Sequence, residues 1–99
     1  MKGEVARPGQ ANTVFVGRKP TAIYLAKVIT LLAESDEVVI VARGRLVLKA
    51  ISVAVRAAKA TNCDYQVLID EEVLGAEVGR PIPRIEIRLV RPVGGREVG

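Results

Sequence analysis

Val38-Val39-Ile40-Val41-Ala42, followed at once by Arg43-Gly44-Arg45, is the segment from which the rest of the chain is read. Its five apolar residues do not alternate with polar ones, and all but Ala42 are β-branched, the pattern of a short strand buried on both faces. Upstream, Thr13-Val14-Phe15-Val16 is a second β-rich run, stopped by Gly17, with Phe15 expected in the core. Between the two runs, Pro20 stands where a helix starts easily, because its missing N–H and fixed φ cost nothing in the first turn. Apolar positions at Ala22, Ile23, Ala26, Ile29, Thr30 and Ala33 then predict a helix to about Glu34, with Leu25, Val28, Leu31 and Leu32 widening the stripe. Strand, helix and strand in this order make a right-handed βαβ crossover with parallel neighbouring strands.

Downstream, Arg43-Gly44-Arg45 turns the chain into a second helix from about Leu46 to Ala60. Leu46, Val47, Ala50, Ile51, Ala54, Ala57 and Ala58 form its apolar side, and Thr61-Asn62 is its stop. Tyr65-Gln66-Val67-Leu68-Ile69 opens a third strand. Ile85-Glu86-Ile87-Arg88-Leu89 is a fourth, with clean alternation that puts Ile85, Ile87 and Leu89 on one face and Arg84, Glu86 and Arg88 on the other. Gly75, Gly79, Pro81 and Pro83 lie between them and suggest a long hairpin with a projecting tip. The expected fold is α/β, an α+β two-layer sandwich in β-α-β-α-β-β order with a mixed four-stranded sheet. Residues 1–12 read as a flexible arm, 13–91 as one domain and 92–99 as a loose tail.

The chain has 99 residues, of which 49% are apolar but only Phe15, Tyr24 and Tyr65 aromatic, so the core must be aliphatic. A domain of this size buries a limited share of its surface, which favours recruiting a partner subunit. The formal charge of +4 conceals a segregated pattern. Arg18 to Lys59 holds eight basic residues against three acids, and Arg80 to the end holds five arginines against two acids. Between these regions Asp64, Asp70, Glu71, Glu72 and Glu77 form an acidic stretch without a base. Two basic regions of this kind favour a polyanionic partner.

Other function classes fit poorly. With no histidine in the chain there is no imidazole for general-base work, and Cys63 has no partner to activate it. Ser35 and Ser52 lack the context of a nucleophile elbow. Asp70, Glu71 and Glu72 are adjacent on a strand, point to alternate faces and do not converge on a cation. No catalytic residue, metal site or cofactor is therefore expected. No signal peptide is visible, and no apolar run approaches the ~18 residues of a membrane span, so an intracellular protein without membrane association is expected. The scarcity of Asn, Gln, Met and Cys fits a hot habitat.

Phosphate binding fits better. Gly17-Arg18-Lys19-Pro20 joins a strand to a helix N-terminus, where unpaired N–H groups and the helix dipole favour anions. Arg43-Gly44-Arg45 does the same before the second helix. Both turns leave the C-terminal edges of neighbouring parallel strands, so they should lie side by side. Neither has the glycine spacing of a nucleotide-binding loop, which leaves a polymer as the better ligand. Arg80 and Arg84 near the hairpin tip are suited to reach into a minor groove. A metabolic enzyme holding a phosphorylated substrate between the two turns is a distant rival.

The stretch Val14-Phe15-Val16-Gly17-Arg18-Lys19-Pro20, then Tyr24, then Val38 through Arg45 with Lys49-Ala50 following, resembles the Alba family of archaeal chromatin proteins. The element order matches too, so the resemblance spans about residues 12 to 91. It implies an obligate dimer that coats and compacts double-stranded DNA with little sequence preference, associated with the chromosome in the cytoplasm, and that binds RNA as well. The alternative it implies is an RNA-binding subunit of a ribonucleoprotein such as ribonuclease P, or an RNA chaperone. Carried over by position, the nucleic-acid contacts are Arg18, Lys19, Arg43, Gly44, Arg45 and Lys49, with Arg80 and Arg84 on a hairpin running from about Leu74 to Arg84. Two departures stand out. Arg18 occupies the place of a lysine that is acetylated in the family, which leaves Lys19 as the modification candidate. Lys59-Ala60-Thr61 replaces a large apolar residue that packs dimers together along DNA, so dimer-to-dimer contacts are expected to weaken or to need a paralogous partner in a heterodimer.

Overall fold

The computed structural model describes residues 12–73 and 79–92. The expected arm up to residue 11, the hairpin tip at 74–78 and the tail from residue 93 lie outside the described residues. The elements are β1 (Thr13–Phe15), α1 (Thr21–Glu34), β2 (Glu37–Arg43), a 3-10 turn (Gly44–Leu46), α2 (Val47–Thr61), β3 (Asp64–Val73) and β4 (Pro81–Val90). The sheet order is β1-β2-β4-β3. β1 runs parallel to β2, with Val14 opposite Ile40, while β2–β4 and β4–β3 are antiparallel. This is the mixed four-stranded α+β architecture expected from the pattern.

Both helices cover one face of the sheet. The core there joins Val14, Val16, Val38, Ile40 and Ala42 to Ile85, Ile87 and Leu89, and to the buried stripes of the helices. All of Val38 to Ala42 is buried, as its unbroken apolar run requires. Val39 and Val41 face the side away from the helices, level with Arg88 and Glu86 of β4.

The α1 stripe is rotated from the expected one. Tyr24, Val28 and Leu32, spaced by four residues, are buried, whereas Ala22, Ile23, Ala26, Thr30 and Ala33 are exposed. The helix is apolar nearly all round, so periodicity alone did not select its face. Phe15 is likewise not in the core: it is 63% exposed. Successive strand residues point to opposite faces, and Val14 and Val16 take the helix side, which sends Phe15 to the other. In α2 the buried residues are Ala50, Val53, Ala54, Ala57 and Ala58, while Ile51 is turned outward.

Boundaries moved at Pro20 and in the hairpin, while α2 stops at Thr61-Asn62 as expected. Pro20 is the residue before α1 rather than part of its first turn, and its carbonyl accepts from Ile23 N–H. α2 ends at Asn62, which takes a left-handed φ of 59° that Asn tolerates, and Cys63 N–H returns to Ala58 O at 3.0 Å. β3 runs on through Asp70, Glu71 and Glu72, and β4 begins at Pro81, so the prolines expected in the loop lie in a strand. β2 stops pairing at Arg43 opposite Arg84, whereas β3 and β4 continue to Val73 opposite Pro81. The hairpin therefore projects beyond the sheet, and there β4 has a neighbour on one side only, a position that tolerates proline.

Candidate nucleic-acid interface

Side chains of both helices hold the first basic turn. Tyr24, one turn into α1 and 8% exposed, places its hydroxyl where it accepts from Gly17 N–H at 2.9 Å and Lys19 N–H at 3.1 Å. Lys49, in the first turn of α2, donates through Nζ to the carbonyls of Gly17 at 3.1 Å and Lys19 at 2.8 Å. The same ammonium lies 5.9 Å from the centre of the Tyr24 ring, within reach of its negative face. The loop after β1 is thus held from both sides by residues of two helices. Gly17 suits this close approach, since a Cβ there would stand 3.0 Å from the Tyr24 hydroxyl, a tight contact. Gly44 has a φ of +60°, the left-handed conformation that lets the second turn enter its 3-10 helix.

The candidate cations divide into two groups. Arg18, Lys19, Arg45 and Arg80 are exposed, and the side chain of none meets a carboxylate among the described residues. Arg43 and Arg84 are already engaged. Arg43 holds Glu72 through Nε at 2.6 Å and through a second guanidinium nitrogen at 3.3 Å. Arg84, with 18% of its side chain exposed, approaches Glu86 at 2.9 Å, Asp70 at 3.5 Å and Glu72 at 3.8 Å. Arg88 extends the network to Glu37 at 3.2 Å and Glu86 at 3.7 Å. The acidic stretch that is separate along the chain therefore folds back on the basic residues of β2 and β4, through the register that sets Asp70 opposite Arg84.

This contact shifts both partners of the leading pair. Hydrogen bonding to Glu72 raises the Arg43 guanidinium above its usual value, and hydrogen bonding to Arg43 holds the Glu72 carboxyl below its own. A carboxyl lowered on folding contributes stability above its unfolded pKa, about 4.3, and loses it as pH falls through the folded value. Glu72→Gln is therefore expected to be less stable than the parent at pH 7, with the gap closing below about pH 4. Urea unfolding midpoints across that range measure it; a gap that persists in acid would assign the loss to something other than the ion pair.

The sequence pattern placed Tyr24 in the family motif without giving it a role, and gave none to Glu72. Tyr24 carried one signal: it lies one turn beyond Pro20, on the face that returns to the loop. Among the described residues no helix is long and apolar enough to cross a membrane, and no cluster of His, Cys, Asp and Glu could hold a metal ion.

Comparison with known proteins agrees with this architecture. The family model described as Alba matches residues 12–62. The chain is 41% identical over 86 residues to the DNA/RNA-binding protein Alba of Nanoarchaeum equitans (strain Kin4-M), covering 79% of this chain and 96% of that protein. Among solved structures, Alba from Thermoplasma volcanium superposes with a TM-score of 0.73 at 34% identity, over 81% of this chain and 100% of that one. An Alba protein of Trypanosoma brucei shares the fold, with a TM-score of 0.70 at 24% identity, over 90% of this chain and 75% of its own. With matching sequence motifs, element order and sheet topology, this chain belongs to the Alba family.

Proposed function

We propose that this protein binds the sugar-phosphate backbone of double-stranded DNA, with little regard to sequence, and coats and compacts it as a dimer. The observation that supports the reading is the bridge from Lys49 to the carbonyls of Gly17 and Lys19, which ties the first glycine-containing basic turn to the helix that follows the second. Arg18, Lys19 and Arg45 supply free cations there, and Arg80, just beyond the last hairpin pair at Pro81, supplies one at the far end of the hairpin. Arg43 and Arg84 serve instead to tie the second turn and the sheet to the hairpin, since carboxylates already meet their charge. Phosphate contacts carry no base information, so such a surface tolerates sequence. Lys19 remains the residue of this surface whose acetylation would remove a charge.

Dimerisation has its own support. A groove of about 280 Å3 between α2 and β3 is lined by Ile51, Val55, Tyr65, Val67 and Ile69, with no charged residue in its wall. These side chains are 38–70% exposed, a contiguous apolar patch that a small soluble domain covers with a partner. A second copy is the natural cover, because a two-fold axis can set one such patch against its twin. The dimer would present two copies of the basic surface to one duplex.

Fluorescence anisotropy with matched duplex DNA and structured RNA, at several salt concentrations, tests the reading. Tight, sequence-tolerant binding of duplex DNA that falls steeply with salt is expected from counterion release. Lys19→Ala is expected to weaken binding about equally for all sequences and to make the log-affinity against log-salt slope shallower by about one unit. An unchanged slope would remove Lys19 from the contacts. The curated relative is named for both nucleic acids, so the RNA arm is a real alternative: selectivity for structured RNA would assign the protein to a ribonucleoprotein or an RNA chaperone role.

A further inference from the structure

We infer that Lys49 is a positioning residue, not a phosphate contact: with Tyr24 it aims the Gly17–Arg18 peptide so that the Arg18 N–H faces outward as an anion donor. The inference rests on the reading that the Gly17–Pro20 loop meets phosphate. Its basis is the orientation of four successive peptide groups, from Val16–Gly17 to Lys19–Pro20. Lys49 Nζ draws the carbonyls of Gly17 and Lys19 toward itself, and the Tyr24 hydroxyl draws the N–H groups of Gly17 and Lys19. No peptide bond in the described chain is cis, so the N–H of Arg18 points opposite to the Gly17 carbonyl and hence away from Lys49. Arg18 itself is exposed, and its N–H has no partner among the described residues. The next peptide carbonyl that Lys49 holds, that of Lys19, precedes Pro20, which has no N–H to present.

The ammonium of Lys49 therefore spends two of its three N–H donors inside the protein. Its charge neutralises carbonyl ends that would otherwise repel an approaching phosphate, and the outward donor it leaves is a backbone group beside the side chains of Arg18 and Lys19. An amide fixed in this way resembles the oriented N–H groups that bind anions at helix N-termini and in backbone nests. Removing the Lys49 charge frees the Gly17–Arg18 peptide to rotate, so one donor is lost while the side-chain cations of the surface stay in place.

Two readouts test this on the intact chain. In proton–nitrogen correlation spectra of the free protein, Lys49→Gln and Tyr24→Phe are both expected to move the Gly17, Arg18 and Lys19 amide resonances while leaving those of β4 in place. In salt titrations with duplex DNA, each variant is expected to bind about tenfold more weakly at a given salt concentration, the size of one oriented hydrogen bond to a charged group. The slope of log affinity against log salt is expected to remain that of the parent. Tyr24→Phe removes no charge, so it keeps the test decisive should Lys49→Gln fold poorly. A slope shallower by about 0.9 for Lys49→Gln would mean that Lys49 neutralises a phosphate, and would overturn the inference. Undisturbed loop amides in both variants would overturn it as well. A parent protein that binds neither duplex nor RNA would instead remove the functional reading, while the amide shifts would still report on how the loop is held.

Discussion

Val67→Asp is expected to leave the chain monomeric while preserving its secondary structure. Val67 lies midway along the exposed strand β3, 49% exposed, between Tyr65 and Ile69 in the groove against α2. In the free subunit an aspartate there sits in water at little cost. In a two-fold interface it would meet its twin or an apolar wall, and an unpaired carboxylate buried in that way costs several kcal/mol. The substitution appears twice per dimer, so the penalty is doubled. Sedimentation equilibrium reads the outcome directly, with far-UV circular dichroism as the check on folding. The monomer should also lose DNA affinity by more than any single charge substitution, because two linked basic surfaces act with an effective concentration that one surface lacks. A Val67→Asp protein that remains dimeric would move the interface elsewhere on the molecule.

Leu32→Ala is expected to destabilise the fold by about 3 kcal/mol, within the 2–5 kcal/mol range of such truncations in packed cores. Leu32 is 1% exposed and lies among the largest fully buried side chains. A chain of this length has about 5–15 kcal/mol of stability in all, and each kcal/mol shifts its melting temperature by roughly 4–8 °C. Ile23→Ala, in the same helix but 51% exposed, is expected to change stability by about 0.5 kcal/mol or less. The pair of variants, compared by thermal melting at one protein concentration, decides which face of α1 is buried. Equal losses would contradict the packing described.

That contrast marks where sequence was sufficient and where it was not. β2 was legible because five apolar residues in a row leave a strand no solvated face. β4 was legible because strict alternation allows only one assignment of Ile85, Ile87 and Leu89. α1 offered apolar residues on every side, and the buried line of Tyr24, Val28 and Leu32 was selected by the sheet beneath it. Phe15 was misread for a related reason: aromatic character suggests a core, but the parity of a strand is set by the residues its neighbours bury. The site divided in the same way. The turns at Gly17 and Gly44 follow from local chemistry and chain order. The engagement of Arg43 and Arg84 by Glu72, Asp70 and Glu86 depends on hairpin register, a long-range property that charge counts along the chain conceal.

The placing of the tyrosines has a practical consequence. The chain has no tryptophan and two tyrosines, so its ultraviolet emission comes from Tyr24 and Tyr65 alone. Tyr24 is enclosed under the loop of the basic surface, and Tyr65 stands 64% exposed on the wall of the apolar groove. Tyr65→Phe would leave a single fluorophore watching the loop, and Tyr24→Phe one watching the apolar groove. The molecule thus carries a separate optical reporter for each of the two surfaces on which its proposed function depends, with no label to be introduced.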